Sequence, residues 1–168
     1  TNDTALVFAS GLVKVEESAL EAALLELARE LARDIVRDAE GATKGVEVSL
    51  TGAADDAQAR LAANAIALSP LVKTALHGED PNWGRIIAAA GRSGAVFEPE
   101  NVRLWIGETL LYAEGRWQGP EAEAAAHSTM CTPEYGVRLD LGAGAASRVL
   151  FTCDLSADYV SINADYRS

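Results

Sequence analysis

The sequence predicts an α/β (α+β) fold: a mixed sheet layered with helices, then a smaller strand-rich C-terminal lobe. Three observations predict it. Leu20, Leu24, Leu27, Leu31 and Ile35 recur at helical spacing, with Glu21, Glu26, Arg29, Glu30 and Arg33 on other faces. Residues 44–52 then alternate strictly: Val46, Val48 and Leu50 to one side, Glu47, Ser49 and Thr51 to the other. Helical and strand patterns exchange until Gly91, after which strand patterns dominate.

Taken in order, Thr4–Ser10 is an apolar run of strand length ended by Gly11. Ser18 is placed to cap the long helix, and Gly41 to stop it, because glycine enters the left-handed conformation without steric cost. Asp55 or Asp56 opens a second helix through Leu61, Ala65 and Leu68, which Pro70 ends. Residues 78–85 are turn chemistry, and Ile86–Ala90 is a short helix stopped by Gly91. Strands are expected at Val102–Ile106, Thr109–Ala113, Tyr135–Leu141 and Arg148–Asp154. A helix with Pro120 at its first position, and Glu121 and Glu123 in its first turn, lies among them. Gly142-Ala143-Gly144 reads as a hairpin turn, and residues 157–164 fit strand or helix. The punctuation at Gly91–Pro99 is the expected boundary between a helix-covered lobe, 1–94, and a smaller lobe, 95–168, whose tail returns to the site.

Composition narrows the function. The 168 residues are 49% hydrophobic and carry a net charge of −11, which argues against nucleic acid and anionic membrane surfaces as partners. No apolar run is long enough to span a bilayer, and no basic-then-apolar signal opens the chain, so a cytoplasmic setting is expected. Cys131 and Cys153 lack CxxC spacing and give neither a disulfide framework nor a zinc site. His77 and His127 are isolated and read as packed or surface residues. No metal ligand set is read from the sequence, and no G-x-S-x-G, G-K-[ST] or H-E-x-x-H signature is present.

Asp38-Ala39-Glu40-Gly41-Ala42-Thr43-Lys44 packs a carboxylate, a glycine, a hydroxyl and an ammonium into the helix-to-strand junction. It would present Glu40 and Lys44 side by side at a sheet edge, where a small charged ligand can be held. The plain alternative is a helix end with solvated charges. Thr1 can be a nucleophile with its own α-amine as base, or simply the place where a fragment begins. The chain opens on Thr1 rather than Met and reads as a piece of something longer. The final stretch carries Tyr159, Val160, Ile162 and Tyr166, so it is expected to dock rather than wave. The alternative is a last edge strand.

Thr1-Asn2-Asp3-Thr4, D-A-E-G-A-T-K at 38–44, S-P-L-V-K-T-A at 69–75, D-P-N-W-G-R at 80–85 and C-D-L-S-A-D-Y-V-S-I-N-A-D-Y-R-S at the end occur in that order. Together they resemble the β chain of the ornithine acetyltransferase (glutamate N-acetyltransferase) family of arginine biosynthesis, over nearly the whole chain. Residues 99–136 match least. The resemblance implies an N-terminal-nucleophile-like (DmpA/ornithine acetyltransferase-like) fold and a precursor that cuts itself into α and β chains. The new terminal threonine, followed by Met-Leu or similar residues, takes acetyl from N-acetylornithine, releases ornithine and passes the acetyl to glutamate. Donors from the α chain form the oxyanion hole.

Thr1-Asn2-Asp3-Thr4 looks like the family's T-N-D-T motif, which lies downstream of that threonine. The resemblance therefore implies a C-terminal portion of a β chain with no catalytic nucleophile of its own, Thr1 being the alternative. Glu40 matches the family's substrate-binding glutamate, Asn163 the asparagine of I-N-A-D-Y-R, and Ser168 the closing Ser/Thr. Lys44, Lys73, Asp80, Asn82 and Arg85 fall in matching motifs with expected structural or interface roles. The implied partners are the α chain and the rest of the β chain in an α2β2 assembly. No cofactor is implied beyond acetyl-CoA as a co-substrate. Two other function classes stay open: an N-terminal-nucleophile amidohydrolase or aminopeptidase using Thr1, and a non-catalytic assembly subunit.

Overall fold

The computed structural model describes residues 4–164. The chain divides into two compact units, Thr1–Ala32 and Arg33–Ser168. The first unit holds the strand expected at Thr4–Ser10, but these residues form no regular element and are exposed. A β-strand is stable only when a neighbour takes its ladder hydrogen bonds, and none of the described strands pairs with this run. The helix α1 (Glu17–Arg37) begins one residue before the expected cap, so Ser18 lies inside its first turn. It buries no residue along its length.

The second unit is built on one six-stranded sheet. Its strands are β1 (Gly45–Ala53), β2 (Arg103–Ile106), β3 (Thr109–Ala113), β4 (Arg116–Trp117), β5 (Glu134–Asp140) and β6 (Ala146–Cys153), in the order β4-β3-β2-β5-β1-β6. Among the described strands only β1 and β5 pair in parallel; every other pair is antiparallel. The sheet is therefore mixed, as the sequence predicts. The expected boundary at Gly91–Pro99 does not divide it, since β1 from before that point is hydrogen-bonded on both sides to strands from after it.

Alternation decides which face is buried. Val46, Val48 and Leu50 of β1 are buried together with Tyr135, Val137 and Leu139 of β5 and Leu104 and Ile106 of β2. The helices α2 (Asp56–Ala67), α4 (Trp83–Gly91) and α5 (Pro120–Met130) join this core through Ala62, Ala63, Ile66, Ile86, Ala90, Ala126 and Met130. Fully burying one Leu or Ile side chain contributes about 1.5–3 kcal/mol. The buried face of α2 is alanine-rich, while Leu61 and Leu68 are exposed. Small side chains let this helix lie close on β1 and β6, which the larger leucines could not do without lifting it.

Pro70 does not merely end α2. Ser69 accepts from the Val72 amide and caps a further helix, α3 (Pro70–His77), with Pro70 at its first position, where the missing N–H costs nothing. Gly142-Ala143-Gly144 is not a hairpin turn, because β1 lies between β5 and β6. The segment passes over the end of β1, with Leu141 N–H donating to the Thr51 carbonyl and Ala143 N–H to the Gly52 carbonyl. A Cβ on Gly144 would stand 2.5 Å from the Ala53 carbonyl oxygen, so the crossing needs glycine there. The ambiguous residues 157–164 form a helix, α6 (Ala157–Ala164), and not an edge strand.

Candidate functional site

Helix α1 ends at Arg37, and the chain reaches β1 through the loop 38–44. Gly41 takes φ +68, the left-handed conformation expected of it. A Cβ there would meet the Tyr159 backbone nitrogen at 2.7 Å, Ser156 Oγ at 3.0 Å and the Asp158 carbonyl carbon at 3.1 Å. The loop and the start of α6 thus touch backbone to backbone. Ser156 seals the contact from both sides: its hydroxyl donates to the Gly41 carbonyl at 2.6 Å and accepts from the Tyr159 amide at 3.1 Å, capping α6.

Asp154, at the end of β6, fixes the other half of the loop. Its Oδ1 accepts from the Thr43 amide at 2.8 Å and the Lys44 amide at 3.0 Å. Its Oδ2 accepts from the Thr43 hydroxyl at 2.8 Å and lies 2.7 Å from His77 Nδ1. The side chain is fully buried. Burial alone would push its pKa up, but these donors outweigh burial and hold the carboxyl below the usual carboxylate value.

With the loop clamped at Asp154 and Ser156, two of the three substrate-binding residues expected from sequence, Glu40 and Asn163, come together. Asn163 Nδ2 donates to Glu40 Oε2 at 3.1 Å and to the Tyr159 carbonyl, one turn back on α6, at 2.9 Å. Both side chains are exposed. Glu40 Oε1 and Asn163 Oδ1 accept no hydrogen bond from any described residue. The pair therefore offers two acceptor oxygens, one of them anionic, which suits a ligand ammonium group. Thr1 and Ser168 lie outside the described residues.

Lys44 is not beside Glu40 at a sheet edge. It shares the inward parity of Val46 and Val48, so its side chain is buried, and β1 is an interior strand. Its ammonium donates to Glu79 Oε1 at 2.6 Å and to the Thr132 carbonyl at 3.3 Å. The other motif residues are structural in what they touch. Asn82 caps α4 by accepting from the Arg85 amide and holds Asp80 through its own amide. Arg85 donates to the Leu71 carbonyl, and Lys73 Nζ lies 3.5 Å from Cys153 Sγ.

Two grooves lie beside the end of α1. One, about 400 Å³, is lined by Arg33, Arg37, Glu47, Glu134, Tyr135 and Phe151 among others. The other, about 270 Å³, reaches Ala42, Thr43 and Lys44. Neither is lined by Glu40 or Asn163. Asp154 and Ser156, which position both residues, are not read from the sequence. The signal for them is the D-L-S run that begins directly after β6 and ends immediately before α6 starts at Ala157.

These features define a mixed-sheet α/β protein whose helix-to-strand loop and last described helix bring one exposed carboxylate and one amide together. Comparison gives the particular family. The family model described as ArgJ family matches residues 1–168. The arginine biosynthesis bifunctional protein ArgJ of Parasynechococcus marenigrum is 49% identical over 168 residues, covering 99% of this chain and 41% of that protein. Its namesake in Rhizobium meliloti is 44% identical over 180 residues, covering all of this chain and 44% of that one. A crystal structure of the Bacillus halodurans arginine biosynthesis bifunctional protein argJ matches with a TM-score of 0.83 at 39% identity, over 89% of this chain and 70% of that chain. The chain belongs to the ArgJ family, and it spans less than half the length of these curated relatives.

Proposed function

We propose that this chain is the substrate-gripping portion of a glutamate N-acetyltransferase of arginine biosynthesis. The enzyme moves acetyl from N2-acetyl-L-ornithine to L-glutamate. In the first step a threonine hydroxyl, supplied by another segment, attacks the acetyl carbonyl. Its proton leaves with the ornithine amine, and an acetyl-threonine ester remains. In the second step the glutamate amine attacks that ester, and the proton returns to the threonine. Acetyl-CoA, as a second donor, would load the same threonine.

Within this chain the work is binding. Glu40 pairs with an ammonium group of the substrate, and Asn163 holds the Glu40 carboxylate and offers its own oxygen to the polar end of the amino acid. Ser168 is assigned to the same end. The observation that carries this reading is the Glu40–Asn163 hydrogen bond: two residues 123 positions apart, singled out for one ligand, meet. The partners are the α chain of the same precursor and the N-terminal part of the β chain, in an α2β2 assembly in the cytoplasm. The exposed leucines of α1, Leu20, Leu24, Leu27 and Leu31, support such partners, because a row of this kind calls for another apolar surface.

The test uses the enzyme assembled with all its segments and N-acetylornithine labelled in the acetyl group. Label should appear on glutamate, and Glu40→Ala should lower kcat/KM for acetylornithine by about tenfold or more, the scale of one charge-assisted contact. Label released as acetate at the same rate with and without glutamate would establish a hydrolase instead. Undiminished kcat/KM in Glu40→Ala would leave this chain an assembly subunit.

A further inference from the structure

A second constellation lies at the far end of Lys44. His127 in the last turn of α5 and Cys131, the residue that caps its C-terminus, are four residues apart and so lie on one face. Glu79 reaches them from the turn after α3. His127 Nδ1 is 2.8 Å from the Glu79 carbonyl oxygen. A carbonyl only accepts, so Nδ1 carries the proton and the lone pair is on Nε2. Nε2 stands 3.7 Å from Cys131 Sγ, and Sγ stands 3.3 Å from Glu79 Oε2. A ligand atom from each of the three residues lies within 4.8 Å of the other two.

These spacings have a chemical meaning. A tetrahedral zinc ion with metal–nitrogen bonds of about 2.0 Å and metal–sulfur bonds of about 2.3 Å separates neighbouring ligand atoms by about 3.5 Å. The two short edges of the cluster fall on either side of that value. We propose that Glu79, His127 and Cys131 form a three-ligand site for a borderline-soft divalent cation of the zinc class, with solvent at the fourth position.

The surroundings are arranged as a ligand set requires. An Nδ1–H held by a backbone carbonyl fixes both the tautomer and the plane of a metal-binding histidine. Here the carbonyl belongs to another member of the set. Glu79 itself takes φ 55, a left-handed conformation that costs a non-glycine residue about 1–2 kcal/mol. From it the residue gives its carbonyl to His127 and its carboxylate to Cys131 and Lys44. Lys44 Nζ occupies Oε1 and leaves Oε2 facing the sulfur. Without a cation, the Cys131 thiol donates to Glu79. The cation takes the place of that proton, which leaves to solvent, and the thiolate offsets the fixed positive charge of Lys44.

The test uses the purified protein with every segment that accompanies this chain, stripped of metal by a chelator. It is then titrated with Zn²⁺ against a chromophoric chelator and, separately, with Co²⁺. Expected are one equivalent per chain, one proton released per ion near neutral pH, a thiolate-to-cobalt charge-transfer band and four-coordinate visible bands. Cys131→Ser should abolish the charge-transfer band, His127→Ala should weaken Zn²⁺ binding by at least about tenfold, and Cys153→Ser should change neither. The site is overturned if Co²⁺ binds without the charge-transfer band, if the band follows Cys153, or if both ligand variants bind Zn²⁺ as the parent does.

Discussion

Asn163 donates to Glu40 Oε2 across 3.1 Å while its second amide hydrogen is tied to the Tyr159 carbonyl. One amide group therefore fixes the carboxylate to the helix that carries it. If the two side chains act on a ligand as one unit, their losses cannot be independent. Glu40→Ala and Asn163→Ala should each lower kcat/KM for acetylornithine by about tenfold or more. The double variant should lose less than the product of the two, by a coupling of about 0.5–3 kcal/mol. Strictly multiplicative losses would mean that the contact has no part in binding.

Gly41 tests the same arrangement through the backbone. Alanine there must hold φ near +68 at a cost of about 1–2 kcal/mol and must also push the Tyr159 amide away from 2.7 Å. The start of α6 has to move, and Asn163 moves with it. Gly41→Ala should therefore reduce activity at least as much as Asn163→Ala, with only a modest fall in Tm. Gly94→Ala is the control: it has φ +86 but open space around the added carbon, so it should show the strain without the loss of activity.

Much of this was legible in the sequence, and the failures are physically specific. The parity of β1 set its buried face, and the glycine after α1 set the loop. The same parity also sends Lys44 inward, away from Glu40. Proline read as a stop at position 70 is equally a start, because its missing N–H is harmless at the first helical position. The crossing at residues 142–144 was not legible at all. Strand order is decided by long-range pairing, and a short glycine-rich link looks the same whether its strands pair or straddle a third. The Glu79–His127–Cys131 cluster was hidden because its histidine–cysteine pair gains meaning only when Glu79, 48 residues from His127, closes on it.

Asp154 gives a pH dependence. Its folded pKa lies below the value of about 3.9 expected in the unfolded chain. A depressed carboxylate contributes stability above the unfolded pKa and loses it as pH falls through the folded one. Asp154→Asn cannot accept from all of Thr43, Lys44 and His77, and should be less stable by about 2 kcal/mol or more near neutral pH. In denaturant unfolding of the assembled protein, the gap to the parent should stay level from about pH 5 upward and shrink below about pH 4. A gap independent of pH down to pH 2.5 would show that the charge of Asp154 is not what clamps the loop.

The apolar face of α1 makes a prediction about assembly. Leu24 and Leu27 are 39% and 51% exposed, and Leu20 and Leu31 are similarly open. Each buried leucine is worth about 1.5–3 kcal/mol, so a surface that covers four of them gains several kcal/mol. Without its partners, the chain can cover this face with a second copy of itself. Leu24→Ser with Leu27→Ser should therefore lower its self-association in sedimentation velocity. The same pair should weaken retention of the accompanying polypeptides on an affinity-tagged chain, because one face serves both contacts. Reduced self-association with undiminished retention would place the partner surface elsewhere on the molecule.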